Sequence, residues 1–315
     1  MAKNAAVAGK RREIRQEIIR EANLSYAAAL AHIVRHDDGT ASGAWAGYTL
    51  QSAFQPIFAF APSRLEIVAY EGLIRPSRGG RPVSPFDFFR VVPAADRLTV
   101  ETLTRTLHLL NAGAFLKPPA MLFVNFDPSV FIDRELAAAA LRGMRLTLQE
   151  VGIDPRRIVC EVTEQRSSSL PMLVAFVTAL RDHGFRIAVD DYGAEESDME
   201  RVASLRPDIV KFDAKWISRL MGTQAGFGLL RIMVREFSAR GSGIVFEGIE
   251  DRRQLELAEK AGAEMVQGFA LARPMLMPVD FSAFAHAETP ADAPADTRKH
   301  GRSGREKPFG RRGEG

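Results

Sequence analysis

The sequence predicts an α/β protein: a (β/α)8 TIM-like barrel with an antiparallel first strand, an N-terminal helix before it and a disordered C-terminal tail after it. Three observations predict this. From about 48 to 280, short β-branched runs alternate with longer Ala/Leu-rich amphipathic runs, as in a parallel sheet with crossover helices. About eight strands in about 230 residues suit a closed barrel better than two open sheets. Most of the apolar runs also stop at an acid, an amide or a lysine.

Residues 8–35 place Ile14, Ile18, Ile19 and Ala22 near helical spacing, with Arg and Glu between them. They predict a helix that packs on the domain or on a partner chain. His32 and His36 stand four apart before Asp37-Asp38, a spacing able to ligate a metal on a helix face. No third and fourth ligand stand nearby, so packing is the preferred reading. GTASGAWAG (39–47) reads as a loop.

Strands follow near 52–59, 65–73, 121–125, 158–163, 186–190, 209–212, 243–247 and 265–269. Only Ala61-Pro62-Ser63 joins the first two, too short for a helix, so they form an antiparallel pair. Helices are predicted near 96–113, 133–151, 170–183, 199–205, 224–240 and 252–261, several ending at a glycine such as Gly184, Gly241 or Gly262. From 286 onward the chain is rich in Pro, Gly and Arg and almost free of large apolar residues. It cannot bury enough surface to offset its ordering entropy. The division is therefore 1–47 helical extension and loop, 48–285 barrel, and 286–315 basic tail. No internal repeat is found.

Of the 315 residues, 46% are hydrophobic and 26% charged, ordinary globular values. No apolar run approaches the roughly 18 residues of a membrane helix. The first residues lack a signal-peptide h-region. Cys160 is the only cysteine, which excludes an intramolecular disulfide and a Cys-rich zinc site and fits a cytoplasmic compartment. The net charge of +3 is a tail property. Seven Lys/Arg and four Asp/Glu lie from 291 onward, leaving 35 of each before it. The body gives no electrostatic reason to expect specific nucleic-acid binding.

The strand ends carry the chemistry. RIAVDDYG sets Asp190 and Asp191 side by side, where like charges oppose each other's ionisation unless a cation lies between them. EIVAYEGLIR carries Glu71 and Arg75, MLFVNF ends with Asn125 before Phe126, and RIVCEVTE holds Glu161 and Glu164. DIVKFD holds Lys211, GIVFEGIE holds Glu247 and Glu250, and EMVQGF holds Gln267. A single acid at a strand end is commonly a cap or turn residue. Six strand ends of this kind point to a shared site, because the carboxyl ends of a parallel barrel meet on one face. Clustered carboxylates with an amide and no Cys or His are hard ligands, suited to Mg²⁺ or Mn²⁺. The number of acids allows two ions, the arrangement that activates water for phosphoryl displacement.

From about Tyr48 to Phe281 the sequence resembles the EAL-domain family of cyclic-di-GMP phosphodiesterases. The resemblance rests on QPI at Gln55, the signature as Glu71-Gly72-Leu73 with Arg75, and the Asn125 strand. It continues through E-x-T-E at Glu161, D-D-Y-G at Asp190, LRPDIVKFD with Lys211, FEGIE with Glu247, and QGFALARP. It implies that Glu71, Asn125, Glu161 and Asp190 ligate a metal, with Asp191 serving a second. It implies that Lys211 contacts the catalytic water and that Glu247 is a general base or second-metal partner. Glu164 would order the loop after the paired aspartates. Arg75 would hold a substrate phosphate, with Gln55 and Gln267 on the substrate side. The implied reaction opens cyclic-di-GMP to linear pGpG in a homodimer, with a possible protein partner on the N-terminal helix. There are departures. The signature alanine is Gly72, expected to loosen the strand, and Pro76 replaces a tryptophan. YGAEESD loses the second glycine of the loop after Asp191. The competing reading is a catalytically silent cyclic-di-GMP receptor.

Overall fold

The computed structural model describes residues 24, 26–62, 64–130, 134–163, 169–194 and 199–278. Residues 26–31 are helical. Strands β1 (Ile33–Arg35) and β2 (Ala41–Trp45) form a small antiparallel pair that joins the edge of β3 (Tyr48–Ala61). β4 (Arg64–Arg78) runs back along β3 in antiparallel register from end to end, with one bulge between Ile57 and Phe58. After β5 (Arg81–Pro82) and helices α1 (Pro85–Val91) and α2 (Arg97–Phe115), strand and helix alternate. They are β6 (Met121–Phe126), α3 (Arg134–Val151), β7 (Ile158–Thr163), α4 (Leu170–Asp182), β8 (Arg186–Tyr192) and α5 (Met199–Leu205). β9 (Ile209–Phe212), α6 (Ala214–Met221), α7 (Gln224–Ala239), β10 (Gly243–Phe246), α8 (Arg252–Ala261), β11 (Met265–Val266) and β12 (Met275–Leu276) complete the order.

The eight strands β3, β11, β10, β9, β8, β7, β6 and β4 pair in that order, and the β3–β4 pairing closes the ring. β3 is antiparallel to both neighbours, and the other pairings are parallel. This is the mixed barrel expected from the short connection at 61–63. Local chemistry sets the helix starts. Ser84 accepts from the Asp87 amide ahead of Pro85, and Asp213 and Asp251 accept from the amides of Trp216 and Gln254. α8 stops at Gly262, whose φ of 91° is the left-handed conformation glycine adopts freely.

The barrel interior is filled by one buried residue from each strand: Ile57, Ala69, Phe123, Val159, Ala188, Ile209, Val245 and Met265. A larger apolar cluster lies between the sheet and the helices, and a third joins β2, β3 and β4 to α1 and α2.

Two expectations at the N-terminal side are corrected. The helix predicted to run to 35 gives way to β1, and the loop predicted over 39–47 contains β2. The reason is tertiary. Asn111 of α2 accepts from the Ala41 amide and donates to its carbonyl, each at 2.9 Å, which satisfies the strand backbone from across the fold. Gly43 lets β2 sit close to α2, since a Cβ there would lie 2.9 Å from Leu107. His32 and His36 therefore do not share a helix face, and His36 Nε2 pairs with Ser42 Oγ at 2.8 Å. The helix start before 24, Glu164, residues 195–198 and the tail from 286 lie outside the described residues. Among those described, no helix is long and apolar enough to cross a membrane.

Candidate active site

A strand returns a side chain to the same face every second residue. Two residues beyond the apolar interior layer, toward the carboxyl ends of the parallel strands, stand Glu71, Asn125, Glu161, Asp190, Lys211, Glu247 and Gln267. On antiparallel β3 the same step runs backward, from Ile57 to Gln55, which pairs in register with Glu71. All eight strands thus send one polar residue into a second layer above the apolar one.

Lys211 is the centre of that layer and is 1% exposed. Its Nζ lies 2.5 Å from Glu161 Oε1, 2.7 Å from Glu247 Oε1, 3.0 Å from Asp190 Oδ1 and 3.8 Å from Glu71 Oε2. Gln267 Nε2 donates to Glu71 Oε2 at 2.8 Å and so fixes that carboxylate. Gln55 Nε2 is turned to the Ala272 carbonyl at 3.1 Å.

Four carboxylates around one ammonium leave the layer short of positive charge. Burial raises the Glu161 carboxyl well above its ordinary range, with Glu71 and Asp190 adding to the rise against the pull of Lys211. Burial likewise pushes Glu247 up to about 8, opposed by Lys211. Burial works against the Lys211 ammonium, yet the joint field of Asp190, Glu161, Glu247 and Glu71 holds its pKa well above the usual lysine value. Both oxygens of Glu161 and Oδ1 of Asp190 are buried without a hydrogen bond, although Lys211 lies within ion-pair distance of two of these three atoms. Buried carboxylate oxygens left in this state fit hard divalent cations.

Asp191 reaches the site by an irregularity. Adjacent residues of a regular strand face opposite ways, which would send Asp191 away from Asp190. The β8–β9 register shifts between Val189 and Tyr192, and Asp191 has a φ of 56°. Carboxylate oxygens of Asp190, Asp191 and Glu247 consequently lie within 4.8 Å of one another. Gly193 (φ 93°) follows, against the Trp216 indole, where no side chain fits.

The acids open into a cavity of about 710 Å³. Glu71, Arg75, Asn125, Glu161, Asp190 and Asp191 are among the residues that line it. The half-buried Arg75 donates from Nη1 to the Ile74 carbonyl at 2.9 Å. Burial lowers its guanidinium pKa, with Glu71 opposing. A smaller cavity of about 220 Å³ joins Gln55, Glu71, Glu247, Glu250, Gln267 and Phe269.

The profile of the EAL domain matches residues 40–274. The chain belongs to the EAL domain family. Among curated relatives, the EAL chain is 26% identical over 266 residues to the cyclic di-GMP phosphodiesterase RocR of Pseudomonas aeruginosa, covering 83% of this chain and 64% of RocR. It is 26% identical over 179 residues to the probable cyclic di-GMP phosphodiesterase PdeA of Escherichia coli K12, covering 56% of this chain and 24% of PdeA. This EAL chain therefore spans only part of the length of those proteins. Klebsiella pneumoniae BlrP1, solved with calcium and cyclic-di-GMP, superposes with a TM-score of 0.64 at 26% identity over 72% of this chain and 56% of that one.

The EAL signature departs from its name here, and the departure has a partner. A Cβ on Gly72 would lie 2.9 Å from His108 Cγ and 3.1 Å from its Cβ, so the imidazole occupies the space an alanine methyl would need. The strand is packed at this point, where loosening was expected. His108 belongs to the cavity wall that the sequence reading missed: Phe86, Phe89 and Arg90 of α1, and Arg97, Glu101, Arg105 and His108 of α2. Arg105 is buried, 3.3 Å from Glu101 Oε2, with its guanidinium 4.4 Å from the centre of the Phe126 ring. The available signal was the recurrence of Glu101, Arg105 and His108 at i, i+4 and i+7 inside a helix otherwise read as packing.

Proposed function

We propose that this chain is a metal-dependent phosphodiesterase that hydrolyses cyclic-di-GMP to linear pGpG. The single observation that carries this reading is the acid layer around Lys211, with buried Glu161 and Asp190 oxygens that accept no hydrogen bond. Glu71, Asn125, Glu161 and Asp190 would hold one Mg²⁺ or Mn²⁺, and Asp191 would serve a second. Such ions, when bound, polarise a phosphoryl oxygen and lower the pKa of bound water. Klebsiella pneumoniae BlrP1, 26% identical to this chain, has been solved with manganese and cyclic-di-GMP, which supports this choice of ion.

The remaining roles fall to the chain's own residues. Arg75 takes a substrate phosphate with a planar fork of donors. Lys211 contacts the attacking water and acts on the negative charge that develops on oxygen in the transition state, from a position fixed by four carboxylates. Glu247, beside Lys211 at the rim, takes the proton of the attacking water or supports the second ion. Gln267 keeps the Glu71 carboxylate in place. Gln55 faces the substrate from the antiparallel strand, and Glu164 orders the loop after Asp191.

The receptor reading stays in play because YGAEESD departs from the family loop. Incubating the full chain with cyclic-di-GMP and Mg²⁺ or Mn²⁺, and separating the products, tests both. Formation of pGpG that chelator abolishes supports the enzyme. Binding without turnover supports the receptor, and turnover in excess chelator removes the metal reading.

A further inference from the structure

We infer that His108 is a ligand-binding residue of the large cavity, presenting a fixed neutral N–H donor to a phosphodiester oxygen beside Arg75. This rests on the cyclic-di-GMP reading of the site and assigns a residue to which that reading gave no role.

The argument begins with the ring's orientation. His108 is 4% exposed and lines the cavity with Gly72 and Arg75. Its Cβ, Cγ and Cδ2 press on Gly72, and Phe54 meets the ring edge to face at 6.2 Å between centroids. Its Nδ1 lies 2.9 Å from Ser52 Oγ. Asn111 Nδ2, which donates at 2.9 Å to the Ala41 and Leu107 carbonyls, shares one of its hydrogens with the same Ser52 oxygen at 3.2 Å. The Ser52 hydroxyl hydrogen then has His108 Nδ1 as its acceptor among the described residues. A neutral imidazole that accepts at Nδ1 carries its proton on Nε2. Burial, reinforced by Arg75 and Arg105, lowers the His108 pKa to about 3, so the ring is neutral across the physiological range.

Nε2–H is therefore a donor, and it has no hydrogen-bond partner among the described residues. The ring that carries it lines the cavity together with Gly72 and Arg75. Asn111, Ser52 and His108 make a relay that starts at the β2 backbone and ends at the ligand wall. The glycine in the signature is what lets the ring stand there. Gly72 and His108 are a matched pair, and an alanine at 72 would have to displace the ring it meets. A donor held by its own acceptor at the other nitrogen needs no reordering when the ligand arrives. It also adds no charge beside Arg75 and Arg105.

The test is calorimetric titration of the full chain with cyclic-di-GMP in Ca²⁺, the ion in the BlrP1 complex. His108→Leu removes the donor at similar bulk, and His108→Gln returns an N–H near the position of Nε2. Losing one hydrogen bond to an anionic oxygen weakens binding about tenfold or more. His108→Leu is expected to lose that much while remaining folded, and His108→Gln to recover most of it. Gly72→Ala should imitate His108→Leu, and the double change should be no worse than either alone, because both act on one contact. Binding by His108→Leu within twofold of wild type overturns the inference. So does a folded His108→Gln as weak as the leucine variant. If His108→Leu does not fold, His108→Gln and Gly72→Ala decide alone. Wild-type protein that does not bind cyclic-di-GMP overturns the site reading and this inference together, whereas wild-type binding with unaffected variants removes only the inference.

Discussion

The same eight strands build two layers of the barrel interior, one residue per strand in each, and the layers do opposite things. The inner layer, from Ile57 and Ala69 to Met265, is apolar and buried, and it gains free energy by leaving water. The outer layer, two residues along each strand, gathers Glu71, Glu161, Asp190 and Glu247 around Lys211 at the mouth. Its like charges oppose one another, with the Lys211 ammonium as their shared counter-charge. The main difference lies in the side chains and in access to the cavity. Stability comes from the inner layer, and the outer layer gives some of it up to hold its acids together.

The sharpest way to break this comparison is to neutralise one outer-layer acid. Glu161→Gln is expected to cut pGpG formation by about a thousandfold or more, roughly 4 kcal/mol of barrier. The metal-free melting temperature should stay level or rise, because repulsion is relieved. A marked fall would show that the acids stabilise the fold. The inner layer predicts the reverse. Phe123→Ala should cost about 3–5 kcal/mol in denaturant unfolding through the cavity it leaves. A cost below about 1 kcal/mol would contradict the assignment of stability to that layer.

Lys211→Met tests the boundary between the layers. Removing the one ammonium strands four carboxylates, and the metal-free protein should lose about 3 kcal/mol. Divalent cation should restore more stability in this variant than in wild type, as read by melting curves with and without chelator. In wild type, Mg²⁺ or Mn²⁺ at a hundred times its dissociation constant should stabilise by about 2.7 kcal/mol. Glu161→Gln should blunt that gain.

A further effect is one of pH. His108 is held neutral in the fold down to about pH 3, while the unfolded chain protonates it near 6.5. Between those values the unfolded state binds more protons, so stability falls as pH falls, with a slope approaching about 1.4 kcal/mol per unit from this group. His108→Gln should remove that part of the slope. Equal slopes in the two proteins would mean that His108 is not buried neutral.

The resemblance of ordered motifs and the alternation of apolar and polar residues made both the barrel and its outer layer legible. Strand spans such as 121–126, 158–163 and 209–212 agree with the expectation to within a residue. Helices α1 and α6 were missed because PFDFFRV and AKWISRLM are short and follow strands or loops without a long periodic run. β1 and β2 were missed because their pairing depends on Asn111, some seventy positions away in the chain.

By itself, the sequence determined which residues share a face. The period of two along each strand is local, and it places Glu71 with Ala69, or Lys211 with Ile209, whatever lies across the barrel. Tertiary structure alone decided what those faces meet. Closing the ring set one ammonium among four carboxylates. A register shift against β9 turned Asp191 back toward Asp190 and Glu247. The packing of α2 put His108 into the space left by Gly72. Each of these is a distance between residues far apart in the chain. Such distances are fixed by closure and packing, on which the local pattern of side chains places no constraint.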